Sequence, residues 1–158
     1  MDFLSPQETE RWLAARRSAE VTLRSASYRL GVDAGAKTAL ARALSALFDD
    51  GLLWVTATGI FPSSENPALF DGYRRALGET RSVLEAPGHR FDRSSRTELE
   101  CLLGLVLYFF WDASLYDEAG ATSLRISHDE VISLQAADEQ ELTRLEDVLA
   151  RLGLEPAA

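Results

Sequence analysis

Leu102-Leu103-Gly104-Leu105-Val106-Leu107-Tyr108-Phe109-Phe110-Trp111 is the most hydrophobic run in the chain, and it sits inside a longer segment, Ser95 to Leu152, around which the remainder must be arranged. Apolar area left in water forfeits roughly 25 cal/mol per Å², so other elements have to cover this run. Ser95 and Glu98 stand at capping-box spacing, which predicts a helix start there. Tyr108 to Trp111 are better strand formers than helix formers. The helix is therefore expected to end near Val106 or Tyr108 and to give way to a strand through Tyr116.

Downstream, Asp117-Glu118-Ala119-Gly120 reads as a turn, Leu124 to His128 alternates, and Val131 to Gln135 is a second short apolar strand. The polar pair Asp129-Glu130 separates the two, which predicts an antiparallel meander. Asp138 and Glu141 repeat the capping-box spacing ahead of the stripe Leu142, Leu145, Val148, Leu149, Leu152, with Gly153 as the stop of a C-terminal amphipathic helix. Residues 155–158 are expected as a frayed tail.

Upstream, Ser5-Pro6-Gln7-Glu8 predicts a helix start near Pro6. Trp12, Ala15, Ala19, Leu23, Ala26 and Leu30 extend a helical stripe, and Arg11, Arg16, Arg17, Arg24 and Arg29 are expected on its solvated face. After a loop around Asp33, Ala36, Leu40, Ala43, Leu44, Leu47 and Phe48 predict a second helix, stopped by Asp49-Asp50-Gly51. Leu52 to Thr58 reads as a strand, and Asn66-Pro67 as the opening of a helix through Ala68 to Leu77. Arg81 to Glu85 suggests a short strand and Ala86-Pro87-Gly88-His89 a turn. The expected fold is α+β: one domain over residues 1–158, with an antiparallel sheet of about four or five short strands packed with helices.

Twenty-five acidic against sixteen basic residues give a formal charge of −9, which disfavours nucleic acid and favours a basic protein partner. The single cysteine, Cys101, lies among leucines and is expected as a small buried hydrophobe in a reducing, cytoplasmic setting. Met1-Asp2-Phe3-Leu4 has no basic stretch before an apolar one, and the run at 102–111 is about half of the roughly 20 residues of a membrane span. No membrane association is expected.

The phrases Trp54-Val55-Thr56, Gly59-Ile60-Phe61-Pro62-Ser63-Ser64-Glu65-Asn66, Leu69-Phe70 with Tyr73-Arg74, Glu85-Ala86-Pro87-Gly88-His89, Phe110-Trp111-Asp112 and Ser127-His128-Asp129-Glu130 carry a resemblance over about residues 54–132. They resemble a family of small uncharacterised bacterial proteins, some immunity-like or toxin-associated. That resemblance implies a compact domain and supplies no reaction. Where such proteins carry a Trp-Pro pair this chain has Phe61-Pro62, which keeps the shape and loses the indole N–H.

Two histidines offer chemistry, His89 and His128. With Asp129 or Asp112 they could form a site with two histidines and one carboxylate, which is the alternative reading: a small metal-dependent or hydrolytic enzyme. Ser127, His128 and Asp129 are neighbours in sequence, and successive strand side chains face opposite ways, so adjacency makes no triad. Asp129 is expected to accept backbone N–H bonds at the strand reversal. Gly-rich phosphate cradles are absent, so no cofactor, metal or catalytic residue is assigned. The favoured expectation is contact, not catalysis: an acidic, immunity-like binder neutralising a basic toxin. Its partner-binding candidates are Phe61, Glu65, Asn66, His89, Asp112, Asp117, Glu118, His128, Asp129 and Glu130.

Overall fold

Short strands whose inward side chains are apolar build one sheet. The computed structural model describes residues 1–16, 23–30, 33–58 and 65–157. The chain runs β1 (Asp2–Leu4), α1 (Pro6–Ala14), β2 (Arg24–Arg29), α2 (Ala34–Leu47), β3 (Gly51–Ala57), α3 (Glu65–Ala76) and β4 (Gly88–Phe91). A single turn of tighter helix at Arg93–Ser95 then leads into α4 (Arg96–Phe109), β5 (Asp112–Asp117), β6 (Thr122–Ser127), β7 (Val131–Ala136), α5 (Glu139–Arg151) and β8 (Glu155–Pro156). The strands pair antiparallel in the order β1-β4-β3-β5-β6-β7-β2-β8.

Register explains the core. Leu53, Leu115, Leu124, Leu134 and Ala26 oppose one another across five strands, and Val55, Ala113, Ile126, Ile132 and Tyr28 form the next row. Both rows face α2, α3, α4 and α5, whose Leu44, Phe70, Leu102, Leu103 and Leu145 are buried with them. Leu52 and Trp54 point the other way, to a smaller cluster with Trp12 and Leu13 of α1 and with Leu4 and Tyr116. One face thus carries four helices and the other carries α1 over the β1–β4–β3 side.

The α+β class holds, but the sheet has eight strands where about four or five were expected. Residues 24–29, read as helix, form β2: Ala26 and Tyr28 turn inward while Ser25, Ser27 and Arg29 turn outward. The expected arginine face is accordingly dispersed, with Arg24 meeting Glu139 of α5 and Arg16 meeting Glu118; Arg17 and Ala19 lie outside the described residues. Arg81–Glu85 is a turn, whereas Gly88 and His89, read as turn, begin β4. Glu155 and Pro156, expected in a frayed tail, pair with Arg29 and Tyr28.

The run that organises the fold is helical further than its composition suggests. Leu99, Leu102, Leu103, Val106, Leu107 and Phe109 keep helical spacing and are buried, and this outweighs the strand preference of the aromatics. The helix stops at Phe110 in the left-handed conformation (φ 55°), with the Trp111 N–H donating to the Val106 carbonyl at 3.0 Å. That position is usually glycine. Lys37 sets its ammonium 3.4 Å from the Phe110 ring centroid, a cation–π contact that holds the ring. Ser95 makes no side-chain cap; Asp92 accepts from the Ser94 and Ser95 N–H groups instead. Cys101 falls on the outer side of this helix and is exposed, contrary to the expectation of burial. Among the described residues no helix is long and apolar enough to cross a membrane.

α1 crosses β4 closely enough to require a missing side chain. A Cβ on Gly88 would lie 2.2 Å from Thr9 Oγ1 and 3.0 Å from Leu4 Cβ. Gly88→Ala is expected to cost about 1–3 kcal/mol in urea unfolding by pushing α1 off the sheet. An unchanged midpoint would contradict this account of the contact.

Candidate functional site

Strand direction decides which candidates meet. Asp112 opposes Ala57 at the end of β3, and Val131 opposes both Ser127 and Arg29, so the start of β5, the β6–β7 turn and the end of β2 share one end of the sheet. α2 and α3 begin at that end because they follow β2 and β3, and α4 finishes there because it precedes β5. Asp112, His128, Asp129, Glu130, Asn66 and the first residue of α3, Glu65, therefore belong to one end. Phe61 lies outside the described residues.

Asp117 and Glu118 belong to the other end, about 17 Å away along β5. Both serve the fold there. Asp117 Oδ1 accepts from the Thr122 N–H at 3.0 Å. Glu118 pairs with Arg16 and, at 3.4 Å, with Arg90, tying α1 to the sheet.

The β6–β7 turn is built around an acceptor from the neighbouring strand. Glu130 N–H donates to the Ser127 carbonyl at 3.1 Å, and Glu130 itself takes φ 60°, the geometry of a three-residue hairpin loop. Asp112 Oδ1 accepts from the His128 backbone N–H at 2.7 Å and from its Nδ1 at 2.8 Å. The expected acceptor was Asp129; Asp112 does this work because β5 brings it alongside. Asp129 uses its own N–H on Ser127 Oγ at 3.2 Å and faces His128 Nε2 at 3.4 Å.

These contacts raise the His128 pKa, chiefly through the hydrogen bond to Asp112 and further through the charges of Asp112 and Asp129. With Nδ1 held by Asp112, Nε2 faces Asp129 Oδ1 at 3.4 Å at the rim, and the side chain is 36% exposed. The arrangement can present a cationic donor in an acidic rim. Ser127 Oγ is engaged with Asp129 at 3.4 Å and does not point a nucleophile at the imidazole.

His89 is elsewhere. Three strand spacings, about 14 Å, separate β4 from β6, so the two histidines do not converge on one ion. Among the described residues no group of three or more His, Cys, Asp and Glu could hold a metal. His89 is fully buried between the rings of Phe3 and Phe70, with centroids 5.5 and 5.7 Å away, and its Nδ1 lies 3.3 Å from the Leu53 carbonyl. Burial, reinforced by the nearby Arg74 charge, pushes its pKa down to about 3.

Arg74 beside it is a buried clamp that the sequence reading did not find. Its Nη1 donates to Asp71 Oδ1 at 2.8 Å and to the Arg81 carbonyl at 3.0 Å, and its Nη2 to the Ala86 carbonyl at 2.6 Å. Asp71 also accepts from the Val83 N–H at 2.8 Å. The available signal was the i, i+3 spacing of Asp71 and Arg74 on one helix. Phrases far apart in the chain, Tyr73-Arg74, Glu85-Ala86-Pro87-Gly88-His89 and Trp111, thus meet through this clamp and through Phe70, which packs on both His89 and Trp111.

No protein-family model matches the chain, and no curated protein or solved structure is significantly similar to it.

Two outcomes follow from the buried pair. Arg74→Met leaves Asp71 without its counter-charge and the Ala86 carbonyl without its guanidinium donor in the interior, and is expected to cost about 3–5 kcal/mol in denaturant unfolding. His89 is neutral when folded and protonates near the ordinary histidine value of 6.5 when unfolded. The unfolded state therefore binds more protons below that pH, and stability falls as pH drops from 6.5 toward 3. The loss approaches about tenfold in the folding equilibrium per pH unit. Glu79, held to about 2 chiefly by its hydrogen bond with Arg81, acts with the same sign but only below 4.5. His128, with its raised pKa, contributes fully below 6.5 and loses that contribution above it. Denaturant unfolding between about pH 6.5 and pH 5 should therefore show a shallower acid loss in His89→Leu than in the parent, and equal slopes would refute the assignment.

Proposed function

We propose that this chain is an acidic, cytoplasmic protein-interaction domain of the immunity type, which neutralises a basic partner by covering it. The observation that carries the reading is the exposure of two large apolar side chains, Leu69 at 61% and Tyr108 at 64%. Both lie toward the sheet end that carries His128, Asp129 and Glu130. α3 and α4 run antiparallel, with the Tyr73 phenol facing Cys101. Leu69 is one turn before Tyr73 and Tyr108 two turns after Cys101, so both continue that facing stripe toward the same end.

Exposed aromatics at a rim of charge are the anatomy of an affinity anchor, and the −9 net charge accelerates encounter with a basic surface. The buried ionisable groups Arg74, Asp71, Glu79 and His89 are committed to the interior, which leaves the sheet-end turn as the chemistry offered to a partner. Asp112 positions His128 in this scheme, and Asp129 and Glu130 form the acidic rim.

The test is co-purification, at low and high salt, with the proteins encoded beside this gene. A stoichiometric, salt-sensitive complex with a basic neighbour is expected. Tyr108→Ala should weaken it about thirtyfold without altering the unfolding midpoint, while Asp129→Asn with Glu130→Gln should slow association. If no neighbour binds, or binding is indifferent to Tyr108→Ala, the reading fails.

A further inference from the structure

Among the described residues, only α1 covers the outer face of the sheet, lying over the β1–β4–β3 side beside the faces of β5, β6 and β7. Between helix and sheet runs a groove of about 450 Å³, with Trp12 in its wall and Ser114, Tyr116, Ser123, Arg125 and Gln135 on its floor. This volume falls within the range of small-molecule sites.

Its chemistry runs against that of the chain. Twenty-five residues of the protein are acidic, yet none of the described residues lining the groove is Asp or Glu. Arg16 is neutralised by Glu118, whereas Arg125 is exposed and has no ion pair among the described residues. Ser114 opposes Arg125 and Tyr116 opposes Ser123 across the β5–β6 pair, so hydroxyls, a phenol ring and the guanidinium share one surface. Trp12 in the wall is 8% exposed and carries the Arg16 guanidinium 3.9 Å from its ring centroid, which leaves Arg125 as the cation offered to a ligand.

We infer that this groove binds a small aromatic anion, with its acid group on Arg125, its ring along Tyr116 and Trp12, and its polar substituents on the serine hydroxyls. The site does not rest on the interaction reading: Arg125 lies within electrostatic reach of His128, but neither His128 nor Asp112 lines the groove. Guanidinium is suited to the acid because its fork of donors matches a carboxylate or sulfonate. The aromatic floor supplies area that a simple inorganic anion would not use, and the described lining residues, which include no acid, disfavour cations.

The test uses anilinonaphthalene sulfonate as the anionic aromatic probe, N-phenylnaphthylamine as its uncharged counterpart, and the full chain. Expected are saturable binding of the sulfonate at one site, energy transfer from tryptophan, and amide shifts centred on Ser114, Ser123 and Gln135. Arg125→Gln should weaken that binding about tenfold and leave the uncharged probe unaffected. Arg29→Gln, on the same exposed face but outside the groove, serves as the control and should leave both unchanged. Absence of saturable binding, amide shifts elsewhere, or equal affinity in Arg125→Gln would each overturn the site.

Discussion

The rest of the structure depends on α4 being buried between the sheet and α2. Leu99, Leu102, Leu103 and Val106 have no exposed surface, and the strands that cover them oppose leucines and isoleucines at matching heights. Burying such side chains is worth roughly 1.5–3 kcal/mol each, far more than the strand preference of a few aromatics. That imbalance carries the helix through Tyr108 and Phe109. It also places a phenylalanine in a left-handed conformation, where the Lys37 ammonium meets its ring.

With this layer in place, the ionisable residues divide into two populations. Arg74, Asp71, Glu79 and His89 lie inside or nearly so, where each charge needs a partner or must be given up. Arg74 and Asp71 share hydrogen bonds, Glu79 meets Arg81, and His89 stays neutral. The turn acids are exposed or half-buried, and several are still engaged: Asp112 by His128, Asp117 by the Thr122 N–H, Glu118 by arginines. Acidic composition alone therefore overstates the charge available for contact. What remains at the sheet end is a small set, Asp129 and Glu130 with the oriented His128.

The central strands were legible from local composition: β6 lies close to where alternation put it, β3 and β7 close to where short runs of apolar strand formers put them, and α5 follows its capping Asp138 and apolar stripe. β2 was misread because Leu23, Ala26 and Leu30 also fit a helical period, and only pairing with β7 selects the extended form. β1, β4 and β8 are two to four residues long, too short to carry a period, and owe their form to their partners. At the site, His128 was singled out but its acceptor was misassigned. The Asp112 contact spans sixteen residues of sequence, and only strand order brings it into place. The groove on the outer face left no local mark, since its residues come from α1 and three strands.

By itself, then, the sequence determined what is local: helix caps at Ser5 and Asp138, the apolar stripe of α4, the alternation of the central strands, the polar β6–β7 reversal and the sign of the net charge. Each follows from the chemistry of residues within a few positions of one another. Tertiary structure alone decided the eight-strand order, the separation of His89 from His128, the opposite placement of Asp112 and Glu118, and the groove beside Trp12, whose described lining residues include no acid. These depend on which strands lie side by side, and that is settled by the combined burial of distant segments, which no short window of sequence contains.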